Sequence, residues 1–125
     1  MKVLICGGAG YIGSNMTALL AALVKACPKA RFVLVNGLGY VKSPLGCKDN
    51  GLPSNYAIEL SRLSAVLDNE LGQLITNLSA EQVMFGSGMP FSYPDPALLK
   101  LEVLKASSDD KEKIYWQNAA KWLRA

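Results

Sequence analysis

The stretch that most constrains this chain is Lys2 to Ser14, KVLICGGAGYIGS, in which a short apolar run breaks into four glycines within seven residues. Val3, Leu4, Ile5 and Cys6 suit a strand buried on both faces, as the central strand of a parallel sheet must be. Gly7, Gly10 and Gly13 stand at G-x-x-G-x-x-G spacing, and the alanine-rich apolar run from Met16 to Ala26 reads as a helix. Strand, tight turn and helix therefore follow in order. In such a unit the first glycine permits the turn, the second lets the backbone approach a pyrophosphate, and the third lets helix and strand pack closely. The helix N-terminus offers unpaired N–H groups and partial positive charge to the phosphates. The same glycines would also serve a bare βα turn with no ligand.

The residues GGAGYIGS after an apolar strand resemble the opening of the extended short-chain dehydrogenase/reductases, and most closely the nucleotide-sugar 4-epimerases, over residues 1–16. The resemblance implies an NAD(P)-binding Rossmann start, with Gly7, Gly10, Tyr11, Ile12 and Gly13 against the dinucleotide. It also implies that Asn36 stands where an acidic residue would bind the adenosine ribose hydroxyls. Asparagine can hydrogen-bond a hydroxyl but lacks the charge that strengthens the bond and discriminates NAD from NADP. The Tyr-x-x-x-Lys pair that this family uses for proton transfer is missing. Tyr11, Tyr40, Tyr56, Tyr93 and Tyr115 are followed four residues later by Asn15, Pro44, Leu60, Ala97 and Ala119.

At 125 residues, 50% of them hydrophobic, the chain is read as one α/β domain over 1–125 with a substantial core, too short for a complete eight-stranded barrel. A net charge of +3 from 13 basic and 10 acidic residues, scattered without a cluster, gives no nucleic-acid footprint. Cys6, Cys27 and Cys47 are odd in number and lack metal-ligand spacing, which points to reduced thiols in a cytoplasmic protein. The apolar run after Lys2 is too short for a signal peptide, and no segment is long enough to span a membrane.

Along the chain, Ala18 to Val24 reads ALLAALV, and Lys25 is the only charge between Ser14 and Pro28. A helix apolar all round is either covered on both sides or lies in a subunit interface. Arg31 to Asn36 reads as the second strand, and Gly37 to Asn55 as a long loop. That loop is either a solvated connection or a source of ligand contacts at Lys42, Lys48, Asp49 and Asn50. Tyr56 to Leu60 is a third strand, followed by a helix over Ser61 to Leu78. Glu59, in that apolar strand, needs a partner, and Arg62 is near in sequence. Gln82 to Phe85 is the last strand, running into Gly86-Ser87-Gly88-Met89-Pro90-Phe91. Two helices follow, about Pro96 to Lys105 and Asp109 to Leu123. Ser107 and Ser108 supply the cap of the latter, and Ile114, Trp116, Ala119, Ala120, Trp122 and Leu123 its core face.

The second half carries its own resemblance. AIELSRLSAV, AEQVMFGSGMPFSYPDPALLKLEVL and DDKEKIYWQNAAKWL look like the C-terminal part of the metal-dependent amidohydrolases of the TIM-barrel class, in the branch related to decarboxylases. The resemblance runs from about residue 20 to residue 125, so the domain divides into a Rossmann-like βα start over 1–16 and an amidohydrolase-like half-barrel segment over 17–125. Its pattern places FGSD-x-P on the final barrel strand and KI-x-x-x-NA on the closing helix, matched here by Lys113-Ile114 and Asn118-Ala119. The aspartate that the pattern gives as metal ligand and proton acceptor is Gly88, and the histidines that complete the ligand set are absent, since the chain has none. A hydrolytic zinc site needs about three side-chain ligands around an open position. The resemblance thus implies a fold without its metal chemistry, leaving at most a backbone anion site at Gly86 to Gly88.

Two families meeting in one chain point to recombination, natural or engineered. The expected fold is four parallel strands with helices, either half a TIM barrel or a small Rossmann-like or flavodoxin-like sheet. Half a barrel leaves two open edges, so a homo-oligomer is expected, formed through a sheet edge or the first helix. The expected function is a non-catalytic scaffold with no metal site and at most weak nucleotide or phosphate binding at Gly7 to Gly13. The alternatives are an NAD(P)-binding fragment of an epimerase or reductase, and an inactive amidohydrolase-like half-barrel whose missing half comes from a partner chain.

Overall fold

The computed structural model describes residues 2–5, 11–35, 40–61, 69–91 and 93–124. Its strands are β1 (Lys2–Ile5), β2 (Arg31–Leu34), β3 (Tyr56–Glu59) and β4 (Val83–Met84). Its helices are α1 (Tyr11–Ala26), α2 (Glu70–Asn77), α3 (Asp95–Val103), α4 (Ser108–Glu112) and α5 (Asn118–Arg124), with a π-helical turn, Lys113–Gln117, joining the last two. All strand pairs are parallel and the order is β1-β2-β3-β4. Each strand is therefore laid beside its predecessor in one direction, as in a barrel. A doubly wound sheet would reverse that direction at a switch point. The chain is a four-stranded half-barrel sheet, and the Rossmann-like and flavodoxin-like orders are set aside.

Two expectations about the N-terminal unit change. Among the described residues β1 is an edge strand rather than a central one, because its apolar sequence reports covered faces and says nothing about how many neighbours it has. Helix α1 opens at Tyr11, not Met16, and takes Gly13 into its first turns. Gly13, Ser14 and Asn15 are weak helix formers, but tertiary packing outweighs propensity.

The core gathers Leu20 and Val24 of α1, Phe32 and Leu34 of β2, Tyr56 and Ile58 of β3, Leu71 and Leu74 of α2, Val83 of β4, Leu101 of α3 and Ile114. Helix α1 is thus not equivalent all round. Leu20 and Val24 are buried, while Leu19 and Leu23 stand 64% and 39% exposed on the outer face.

The segment from Tyr40 to Asn55 is packed structure rather than a solvated tether. Tyr40, Val41 and Leu45 are buried, and Ser43 caps a 3₁₀ turn at Pro44–Gly46 by accepting from the Leu45 amide. Asn50, read as a ligand contact, serves the loop itself: its Oδ1 accepts from Leu52 N at 2.7 Å, and its Nδ2 donates to Pro44 O and Tyr56 Oη. Lys42, Lys48 and Asp49 are exposed. Asn55 closes the segment. Its Nδ2 donates to the carbonyls of Val24, Cys27 and Ala30 at 3.2, 3.0 and 2.9 Å, which ties the end of α1 to the start of β2 and β3.

The C-terminal helix is locked to β4. Ser107 Oγ accepts from Asp110 N at 3.1 Å, the expected N-cap. In the π turn Asn118 N bonds back to Lys113 O, which leaves the Ile114 carbonyl for another donor, and it accepts from Phe85 N at 2.9 Å. Asn118 Nδ2 donates to Ala80 O and Val83 O at 2.7 and 2.8 Å. Met84 O meanwhile accepts from Leu60 at 3.0 Å, so alternate residues bond to opposite sides of β4. The outer edge of β4 is therefore occupied and is not the open edge expected from the sequence. The wide π turn also rotates the helix's apolar stripe. Ile114 and Asn118 face inward, while Trp116 and Leu123, expected in the core, are 56% and 71% exposed. Trp122 lies under the Arg31 guanidinium, 5.6 Å from carbon to ring centre.

Replacing Asn118 by alanine strands two buried carbonyls and should cost about 2–4 kcal/mol. The check is a lower urea midpoint with an unchanged slope; Asn118→Asp, which removes the donors at constant size, should do similar damage.

Burial also raises the Tyr56 phenol above its ordinary value of 10.0, partly offset by its bond to Asn50 and reinforced by Cys47. Its hydroxyl donates to Leu45 O at 2.8 Å. A raised folded-state value means that this contribution is complete below the unfolded value and is lost as pH rises above it. Wild-type stability should therefore fall more steeply above about pH 10 than that of Tyr56→Phe, as measured by urea unfolding across that range.

Candidate functional site at the strand ends

In a parallel sheet the chemistry gathers beyond the C-terminal ends of the strands. Here β3 ends at Glu59, followed by Leu60 and Ser61, and β4 runs through Phe85 into Gly86, Ser87 and Gly88. Glu59 is buried at 8% exposure. Its Oε1 accepts from Ser61 N at 2.8 Å and its Oε2 from Ser61 Oγ at 2.7 Å. The carboxylate is thus held by the turn that follows its own strand, while Arg62, the partner expected from sequence, lies outside the described residues. A Cβ added at Gly86 would fall 1.5 Å from Glu59 Oε1. Gly86 is the space in which the carboxylate sits.

Gly88 adopts a φ of +67°, a left-handed conformation that glycine takes without steric penalty. Its carbonyl accepts from Phe91 N at 3.0 Å, and Ser87 Oγ accepts from Met89 N at 3.3 Å. The Met89–Pro90 bond is cis. Beyond the turn, Met89, Phe91 and Tyr93 point into solvent. Phe85 stacks on Tyr115, with ring centres 5.6 Å apart.

Chemically this is one anchored carboxylate beside a glycine turn. Among the described residues it has no second acid beside it for paired acid–base work, and the sequence contains no histidine. The Glu59 carboxyl group lies against Gly86, beside the Gly86 to Gly88 turn at which a backbone anion site is expected from the sequence. Among the described residues no group of three His, Cys, Asp or Glu side chains could hold a metal ion. The described residues at these strand ends do not supply a divalent metal's ligand set.

Gly7, Gly10 and Asn36 lie outside the described residues. Tyr11, Ile12 and Gly13 form the opening of α1, where only the backbone path is described. At the opposite end of the sheet, Arg31, Ser54, Ser79, Glu81, Gln82, Lys121 and Trp122 line a polar cleft. Arg31 spends a donor there on the carbonyls of Lys121 and Trp122, both at 3.5 Å. Sequence reasoning missed Asn55 and Ser61 altogether. It singled out Asn118 within the KI-x-x-x-NA pattern, but the pattern gave no hint that the role is to hold backbone.

If Gly86 makes room for Glu59, Gly86→Ala should destabilise the chain by about 1–3 kcal/mol through overpacking. Adding Glu59→Ala should recover part of that loss, giving a coupling of at least about 0.5 kcal/mol in a double-mutant unfolding cycle.

No family model and no curated protein matches the chain. Solved structures do. 5-Carboxyvanillate decarboxylase from Sphingomonas paucimobilis superposes with a TM-score of 0.64 at 22% identity, covering 89% of this chain and 38% of that protein. A dihydroxybenzoic acid decarboxylase from Polaromonas, with bound manganese and 2-nitroresorcinol, gives 0.67 at 18% identity, over 90% and 40%. A putative amidohydrolase from Staphylococcus aureus gives 0.67 at 16% identity, over 91% and 41%. The chain shares the fold of part of these amidohydrolase-type barrels and spans about two fifths of their length. The epimerase resemblance finds no counterpart among them.

Proposed function

We infer that this chain is a non-catalytic half-barrel of amidohydrolase fold, with no hydrolase or decarboxylase centre of its own. The observation that carries the reading is the end of β4, where the position of the family's aspartate is Gly88 in a chain without histidine. The fold likeness supports the architecture. The substitution removes the group that would ligate a metal and move a proton. Glu59 does not stand in for it in this reading, because it lies at the end of β3 and both its oxygens accept from Ser61. The polar residues at the strand ends bond to their own backbone turns, which is the pattern of a scaffold. A recombined origin, joining an epimerase-like βα start to an amidohydrolase-like segment, belongs to the same reading.

The test is metal content together with turnover. After chelation and incubation with manganese or zinc, no stoichiometric metal should remain on the desalted protein, and 2,6-dihydroxybenzoate should release no carbon dioxide above the buffer rate. Stoichiometric metal that is lost in a Gly88→Val variant would overturn the reading.

A second reading keeps NAD(P) or a simple phosphate as a weak ligand of the first turn. What favours it is that α1 opens at Tyr11, directly after Gly10, so the glycines bridge strand and helix as a phosphate loop would. Binding should then be weak, with Asn36 a poor ribose partner, and Gly10→Val should abolish the thermal shift given by NAD, NADP or phosphate. Tight NAD binding that survives Gly10→Val would sink this reading.

A further inference from the structure

We propose that the polar cleft at the N-terminal ends of the strands is a binding site for a small organic carboxylate carrying a single negative charge. The cleft has a volume of about 220 Å³ and is built from four separate pieces of chain. Arg31 opens β2, Ser54 precedes β3, Ser79 and Glu81 precede β4, and Lys121 and Trp122 belong to α5. It lies at the other end of the sheet from the Glu59 turn.

Hydrogen bonding shows which donors the cleft has to offer. A guanidinium carries five N–H donors in a planar fork. Arg31 Nη1 reaches the carbonyls of Lys121 and Trp122 only at 3.5 Å, the outer limit of a hydrogen bond, and the group rests over the Trp122 ring, 5.6 Å from carbon to ring centre. Stacking on the indole thus orients the fork, while among the described residues Nε and Nη2 make no hydrogen bond and no carboxylate pairs with them. The exposed Lys121 ammonium likewise forms no ion pair among the described residues. Ser79 Oγ accepts from Glu81 N at 3.1 Å, which leaves its own proton to give.

Charge sets the valence of the ligand. Arg31 and Lys121 face one cleft with a single carboxylate, Glu81, which bridges neither of them and whose field also acts on Lys113. Two cations against one acid leave one net positive charge, which a monoanion neutralises and a dianion overshoots. A planar carboxylate also matches the fork of an arginine, two oxygens to two N–H groups.

The experiment follows Trp122 fluorescence during titration with sodium acetate at constant ionic strength, in a Trp116→Phe background that leaves Trp122 as the one tryptophan of the chain. The expected result is a saturable change that sodium chloride does not reproduce and that inorganic phosphate, at a pH where it is dianionic, produces only at higher concentration. Arg31→Lys keeps the charge but loses the fork and should weaken acetate about tenfold. Lys121→Met alters only an exposed side chain, so it should keep its circular dichroism while weakening acetate about threefold. Glu81→Gln removes the opposing charge and should tighten it. A change that is linear and identical in chloride, wild-type affinity in Lys121→Met, weaker binding in Glu81→Gln, or phosphate dianion binding more tightly than acetate would each overturn the proposal. The site stands on residues far from the glycine turn and from Gly88, so retained metal or decarboxylation would refute the non-catalytic reading without touching it.

Discussion

The structure depends on the grip of the C-terminal helix on the last strand. A regular α-helix would spend the Ile114 carbonyl on its own ladder; the π turn frees it for Phe85 N. One residue pair further, Asn118 reaches two more backbone carbonyls with a single side-chain amide. Buried backbone groups must be paired, and β4 is too short to gain much from strand pairing alone. The helix therefore completes the strand's hydrogen bonding and covers the core at Ile114 in one arrangement.

A side-chain amide works similarly at the start of β2 and β3. Asn55 satisfies three carbonyls where α1 gives way to β2, a region in which a helix terminus would otherwise leave its acceptors unpaired. These two asparagines hold the ends of the connections that lead into β2 and β4. The carboxylate at the end of β3 follows the same logic, because Ser61 and the gap at Gly86 make a burial site for Glu59 rather than a reactive one. Asn55 and Asn118 are thus spent on the chain's own backbone, and Glu59 on the turn that follows its strand.

Much of the fold was legible in the sequence. The short apolar runs of β1 to β4, the leucine stripe through Leu71 and Leu74, and the Ser107 cap each carry a local signal, a period or a hydrogen-bonding side chain beside a helix start. The edge position of β1 carried none, since apolar content reports covered faces and not the number of neighbours. The packed loop from Tyr40 was misread because glycine, proline and serine mark turns without revealing that Tyr40, Val41 and Leu45 fold inward.

The sequence by itself determined what chemistry the chain lacks. With no histidine, and glycine at position 88, no fold could assemble the ligand set that the family pattern requires. Only the tertiary structure decided where the remaining polar groups went, and that Trp116 faces solvent while Asn118 faces the core. The reason is physical: composition fixes which groups exist, but a π turn of one extra residue rotates a helix face, and here β4 supplies the donor, Phe85 N, for the freed carbonyl.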